Sequence, residues 1–169
     1  MLNGRSWRGA EGMAGKIGHT IVAPTAELCL CGRQGCVERS VSGPYMVQRA
    51  CDLLQHQPEQ ATLLRSLLSG NLGSLTAQNL SQAAAQGNEF AQSILARGAC
   101  ALGAGIGNAA NFVNPQCFVL GGGVTKPDDR FWQVGRDTAR RTALPGVNFE
   151  VIPAALGDDA PLRGAIALA

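Results

Sequence analysis

Apolar and polar positions change their spacing along the chain, and each change marks an element. Residues 18–23 hold a β-branched run, Thr20-Ile21-Val22, which predicts a strand. Residues 24–35 read as a loop and 36–41 as a short helix. Ser42-Gly43-Pro44 opens a helix, with proline near its first position. Met46, Val47, Ala50, Cys51 and Leu54 then recur on one helical face. Residues 61–68 predict a further helix. Thr76 caps another that runs to Gln86 and stops at Gly87. Asn88 opens a long helix whose packing side carries Phe90, Ile94, Ala101, Gly105 and Ala109, and Pro115 ends the region. Its small residues let it lie close on a neighbour. Residues 117–120, Cys-Phe-Val-Leu, read as a buried strand that runs straight into Gly121-Gly122-Gly123. Residues 127–142 are helical, 149–152 form a strand and 161–169 a final helix. Residues 1–15 read as loop, with Asn3-Gly4 as a hairpin turn. Strands alternating with helices after residue 87 make the chain α/β. The strands are few for a complete α/β sheet, so part of the sheet is expected to be missing.

The length of 169 residues suits one domain. At 46% hydrophobic and 15% charged, the chain falls outside the disordered class. The net charge is +2, the 14 Lys and Arg are scattered, and aromatics are 5%, which argues against a nucleic-acid surface. The most apolar stretch, 90–113, is broken by Gln92, Arg97, Asn108 and Asn111, so no membrane span is expected. A cytoplasmic location is expected, and the six cysteines then point to thiols or metal rather than disulfides. Cys51, Cys100 and Cys117 sit among apolar residues and read as small core residues. His56 reads as a surface residue near a helix end. Gly103-x-Gly105-x-Gly107 is not a dinucleotide fingerprint, since Asn108 follows and no strand precedes it. Lys126 is not a phosphate-loop lysine, because no Gly-Lys-Ser/Thr is present.

The densest chemistry lies in residues 19–36. Cys29-x-Cys31-Gly32-x-x-Gly35-Cys36 places three thiols within eight residues, and His19 precedes Cys29 by ten. Gly32 and Gly35 let the loop fold back. Four such ligands satisfy tetrahedral Zn²⁺, and a site closed by four protein ligands is structural. The spacing is not that of a common zinc finger, and a reduced thiol cluster beside a turn is the other reading.

Ala14-Gly15-Lys16-Ile17-Gly18-His19, followed by Cys29-Leu30-Cys31-Gly32-Arg33-Gln34-Gly35-Cys36-Val37-Glu38, resembles the signature of the ROK family of repressors, open reading frames and sugar kinases. Asn114-Pro115 with Val119-Leu120-Gly121-Gly122-Gly123-Val124 resembles the family's adenosine segment. Leu156-Gly157-Asp158-Asp159-Ala160 through Gly164-Ala165 resembles its C-terminal segment. The resemblance covers nearly the whole chain.

The resemblance implies an actin-like ATPase (ribonuclease H-like) fold with a zinc-bound loop. Residues 1–169 would be its C-terminal lobe, with the zinc loop at 19–38, the nucleotide-side segment at 88–169 and the N-terminal lobe absent. The implied activity is phosphoryl transfer from MgATP to a hexose hydroxyl, as in glucokinases. The lobe is expected to be inactive alone, because the phosphate loop and the base-bearing Asn-Asp pair are not in it. His19, Cys29, Cys31 and Cys36 match the zinc ligands. His19 and Glu38 match groups that bind sugar hydroxyls, and Gly121, Gly122 and Gly123 match the turn beside the nucleotide. The implied cofactors are structural Zn²⁺, with ATP and Mg²⁺ for the whole protein. The implied partners are a hexose or amino-hexose and a second copy of the chain. Lys16 departs from the pattern: the sugar kinases have Glu there, and a lysine cannot accept a hydroxyl's hydrogen bond. Asp158 and Asp159 are expected to cap the last helix rather than act as a base. A ROK transcriptional repressor or sugar sensor is the alternative parent.

Overall fold

The computed structural model describes residues 7–56, 64, 66, 68, 70–123 and 126–168. The Asn3-Gly4 turn and most of the expected helix at 61–68 lie outside them. In chain order come α1 (Val37–Val41), α2 (Gly43–His56), α3 (Ala77–Ala85), α4 (Glu89–Val113), β1 (Cys117–Leu120), α5 (Asp129–Thr142), β2 (Glu150–Pro153) and α6 (Ala160–Leu168). Short 3₁₀ turns stand at Ile17–His19, Leu72–Ser74 and Gly157–Asp159. Asp158 and Asp159 thus lie in the turn just ahead of α6.

The caps explain the helix starts. Thr76 accepts from the Asn79 N–H and Asn79 reaches back, a reciprocal pair that satisfies two orphan donors of α3. Asn88 caps α4 by accepting from Ala91, and Asp128 caps α5 by accepting from Phe131. Gly87 follows α3 in the left-handed region, at φ +87°. Asn114 ends α4 at φ 46°, a conformation that asparagine tolerates, and Pro115 prevents continuation.

The long helix α4 is the spine. One apolar cluster joins Val37, Val41, Met46, Ala50 and Leu54 to Leu80, Phe90, Ile94 and Leu95. A second joins Ile106 and Ala110 of α4 to Ala139, Phe149 and Val151. Three glycines of α4 fix how closely its neighbours approach. A Cβ on Gly103 would run into the Gly135 carbonyl of α5 and lie 2.7 Å from Thr138 Cβ. One on Gly107 would lie 2.5 Å from Thr142 Cβ, and one on Gly105 2.8 Å from Val37 Cγ2. The triplet Gly103, Gly105 and Gly107 is a packing device facing two ways.

Strands β1 and β2 pair in parallel with Cys117 opposite Glu150 and Leu120 opposite Pro153. The edge-to-face contact of Phe118 on Phe149, with ring centroids 5.4 Å apart, fills the space under this pair. Arg136 Nε donates to the Val151 carbonyl at 3.1 Å, tying α5 to β2.

Four expectations are corrected. The strand at 117–120 forms but is not buried: Cys117 and Val119 are exposed, and Phe118 and Leu120 are half-buried. Residues 18–23 do not form a strand: they hold a 3₁₀ turn and one antiparallel bridge, Ile21 to Cys36. Their backbone groups are spent on the adjacent loop, as Val22 N–H donates to Gly35 at 2.9 Å and Val37 N–H to Thr20 at 3.1 Å. Cys100 and Cys117 are exposed, and Cys51 is only partly buried. On the packing side of α4, Ala110 is buried where Ala109 is only half-buried. No helix among the described residues is long and apolar enough to cross a membrane.

Candidate metal and ligand site

Residues 27–35 fold into a small hairpin. Leu28 and Gln34 form an antiparallel bridge, Cys29 N–H donates to the Arg33 carbonyl at 2.8 Å, and Gly32 N–H returns to Cys29 at 2.9 Å. Gly32 and Gly35 both adopt positive φ, at +83° and +74°. A Cβ on Gly35 would collide with the Ala23 carbonyl, so only glycine lets the hairpin close on residues 22–24.

This closure gathers His19, Cys29, Cys31 and Cys36, whose ligand atoms all lie within 4.8 Å of one another. The His19 Nδ1 is 3.9 Å from Cys29 Sγ, and the Cys31 and Cys36 sulfurs are 3.5 Å apart. Tetrahedral coordination at zinc's bond lengths sets ligand atoms roughly 3.3–3.8 Å apart, so a modest contraction fits the set to one ion. Cys29 and Cys36 are buried, whereas Cys31 is exposed. The Arg33 backbone and then the Cys36 thiol hold the Cys31 thiol down at about 6. Burial, and then the neighbouring sulfurs, push Cys36 up to about 12. These four groups can hold a metal ion.

His19 faces two ways. Its Nδ1 points at the thiols, while its Nε2 lies 3.5 Å from Oε2 of Glu38, in the first turn of α1. Glu38 is exposed and acceptor-only, and the 3.5 Å gap is wide for a direct bond. The two groups therefore stand side by side and partly exposed, and a ligand hydroxyl can approach both from the solvent side. Lys16 is exposed and precedes the turn that carries His19; the His19 N–H donates to the Lys16 carbonyl at 3.0 Å.

At the other end of α1 lies a groove of about 670 Å³. Val41 and Met46 lie along it, opposite Gly121, Gly123 and Pro127. The remaining wall is the N-terminal end of α3, with Ala77, Gln78 and Ser81. Gly122 requires glycine through its φ of +78°, and among the described residues nothing within 4 Å meets a Cβ placed on Gly122 or Gly123. Sequence reasoning found the glycines but not the opposite wall, because nothing local links residues 41–46 and 77–81 to residue 121. Helix α1 thus joins the two sites: Glu38 at one end, Val41 at the other. Five residues of α-helix span only about 7.5 Å.

Comparison with known proteins places this architecture. The chain superimposes on a ROK family glucokinase from Streptomyces griseus, solved with glucose and AMPPNP, with a TM-score of 0.83 and 34% identity over 96% of this chain and 53% of that one. Its α/β arrangement is that of the actin-like ATPases. The profile of the ROK family matches residues 1–169, and the chain belongs to the ROK family. It is 35% identical to a glucokinase of Streptomyces coelicolor over 166 residues, 96% of this chain and 52% of that protein. It is 33% identical to the DNA-binding transcriptional dual regulator NagC of Escherichia coli over 126 residues, 75% of this chain and 29% of the regulator. The chain spans about half the length of the curated glucokinases it matches.

Proposed function

We propose that this chain is the zinc- and nucleotide-bearing lobe of an ATP-dependent sugar kinase, acting on a hexose or amino-hexose. The observation that supports it is the short helix α1, which carries the hydroxyl-binding candidate Glu38 at one end and borders the glycine-walled groove at the other. A kinase must hold its acceptor hydroxyl and its nucleotide at such close range, because phosphoryl transfer depends on positioning. Greater identity and coverage with glucokinases than with the regulator favour the kinase over the repressor reading.

In this reading His19, Cys29, Cys31 and Cys36 hold Zn²⁺. The ion supplies a closed, rigid cross-link that contributes folding energy and takes no part in the reaction. With Nδ1 engaged, the neutral imidazole keeps its proton on Nε2 and becomes a donor there. His19 then donates to a sugar hydroxyl while Glu38 accepts from the same or a neighbouring one, a pairing that fixes the sugar's orientation. Lys16 brings a cationic donor to the edge of this site and weakens its preference for a neutral polyol. Gly121 and Gly123 leave room for the nucleotide, whose purine fits the largely apolar groove. No residue of this chain is assigned as general base. Titration calorimetry of the full chain with glucose, N-acetylglucosamine and a non-hydrolysable ATP analogue tests the reading. Saturable binding of a hexose and of the nucleotide is expected, and binding of neither overturns it.

A further inference from the structure

Glu27 stands two residues before Cys29, and its carboxylate is half-buried. One oxygen receives the Arg49 guanidinium of α2; the other receives Arg97 of α4 at 3.0 Å. These partners are 22 and 70 residues away in sequence. The backbone of Glu27 faces the opposite way, its carbonyl accepting the Gly35 N–H at 3.3 Å. The residue is therefore fastened to the metal hairpin on one side and to two helices of the body on the other.

The hairpin has little apolar hold of its own. Leu28 is 62% exposed and Leu30 is 93% exposed, so the tip that carries Cys29 and Cys31 is not anchored through these leucines. Arg39 Nε donates to the Leu28 carbonyl at 3.0 Å, but Arg39 sits on α1 beside Cys36. The tie to α2 and α4 runs through Glu27. That tie is electrostatically lopsided, because two guanidiniums converge on a single carboxylate. Asp52 also acts on Arg49. The Arg97 Nε is buried without a hydrogen-bond partner. Without the carboxylate, two half-buried guanidiniums would face each other beneath the hairpin.

We propose that Glu27 is the positioning residue of the metal site: it latches the hairpin between Arg49 and Arg97 and so pre-organises Cys29 and Cys31 against His19 and Cys36. This rests on the zinc reading above. Glu27→Gln keeps the side-chain shape and removes only the charge. The two guanidiniums then repel, the hairpin lifts, and ordering its two thiols becomes a cost of metal binding. Partners beyond the ligands typically change metal affinity about 10–100-fold, and a loss in that range is expected here.

The test is competition of Zn²⁺ between the full chain and a chromogenic chelator, with the Co²⁺–thiolate absorption as a second readout. Glu27→Gln should bind Zn²⁺ roughly 10–100-fold more weakly, with a broadened Co²⁺ spectrum. Adding Arg97→Met to Glu27→Gln removes the repulsion and should recover much of the loss, which a packing role for Glu27 would not produce. Unchanged affinity in Glu27→Gln, or no recovery in the double variant, overturns the latch. A wild-type chain that takes up no Zn²⁺ overturns the metal reading instead. Should Glu27→Gln fail to fold, Arg49→Met and Arg97→Met each leave Glu27 one partner. Both should weaken Zn²⁺ binding severalfold, and unchanged affinity in both overturns the latch.

Discussion

Gly103 of α4 and Gly135 of α5 bring the two helices into backbone contact, with the Gly135 carbonyl occupying the space where a Gly103 side chain would begin. Replacing Gly103 by alanine improves helix propensity by about 1 kcal/mol. It also drives a methyl into backbone, which overpacking data put at about 1–3 kcal/mol or more. The clash dominates because a carbonyl in a packed helix cannot swing aside. Gly103→Ala is expected to lower the melting temperature, read by circular dichroism. Gly105→Ala should cost less, since it meets the movable Val37 methyls.

The hairpin glycines separate in the same manner. Gly32 needs its positive φ, but a Cβ there meets nothing within 4 Å among the described residues. Gly35 needs the same conformation and also abuts the Ala23 carbonyl. Gly32→Ala should retain metal and lose about 1–2 kcal/mol from the left-handed conformation. Gly35→Ala should lose bound metal altogether, measured by atomic emission on the purified chain.

Metal content and stability should move together. A structural ion binds only the folded site, so its binding energy is folding energy. Cys31→Ser, at the exposed corner of the cluster, is expected to lower both zinc stoichiometry and melting temperature. Chelation of the wild type should reproduce the same drop in melting temperature. Full stoichiometry in Cys31→Ser would remove this cysteine from the ligand set.

Glu38→Gln separates binding from folding. Hydrogen bonds to a charged acceptor are worth about 1.5–3 kcal/mol, so hexose affinity should fall roughly 10–100-fold. Glu38 is exposed, and besides facing His19 Nε2 at 3.5 Å it is an acidic residue in the first turn of α1. That position contributes about 0.3–1 kcal/mol. Calorimetry alongside thermal melting distinguishes the two effects.

Lys16→Glu runs in the opposite direction. Lys16 is exposed, so stability should stay within about 0.5 kcal/mol. An added acceptor beside His19 should raise hexose affinity about tenfold. No change in affinity would mean that position 16 does not reach the sugar.

The sequence made the helices legible wherever a cap stood beside a periodic stripe. Thr76, Asn88 and Asp128 each cap a helix, and the first two mark its start almost to the residue. Strand β1 was legible because its short apolar run lies between Pro115 and Gly121, but that run gave no sign that the strand is exposed at alternate residues. The cluster of His19 with three cysteines was legible because its ligands crowd into 18 residues. Thr20-Ile21-Val22 misled because β-branching reports fitness for a sheet that this segment does not meet. Cys100 and Cys117 misled because apolar neighbours in sequence say nothing of which face a side chain takes. Glu27 with Arg49 and Arg97, and the wall facing Gly121, were invisible because they join residues that only the fold brings together.

The parallel pairing of β1 with β2 sets an order of assembly. Antiparallel strands can zip from a turn, but these two cannot meet until α5 has carried the chain back along α4. Closing so long a loop precedes any hydrogen bond that rewards it. The turn at Gly121 that follows β1 therefore takes its place from a helix crossing at Gly103 and Gly135. Amides of 118–120 and 151–152 should exchange with solvent at the rate set by the opening of α5, as a single cooperative unit. A chain that loosens that crossing would then lose the shape of its groove before it loses its helices.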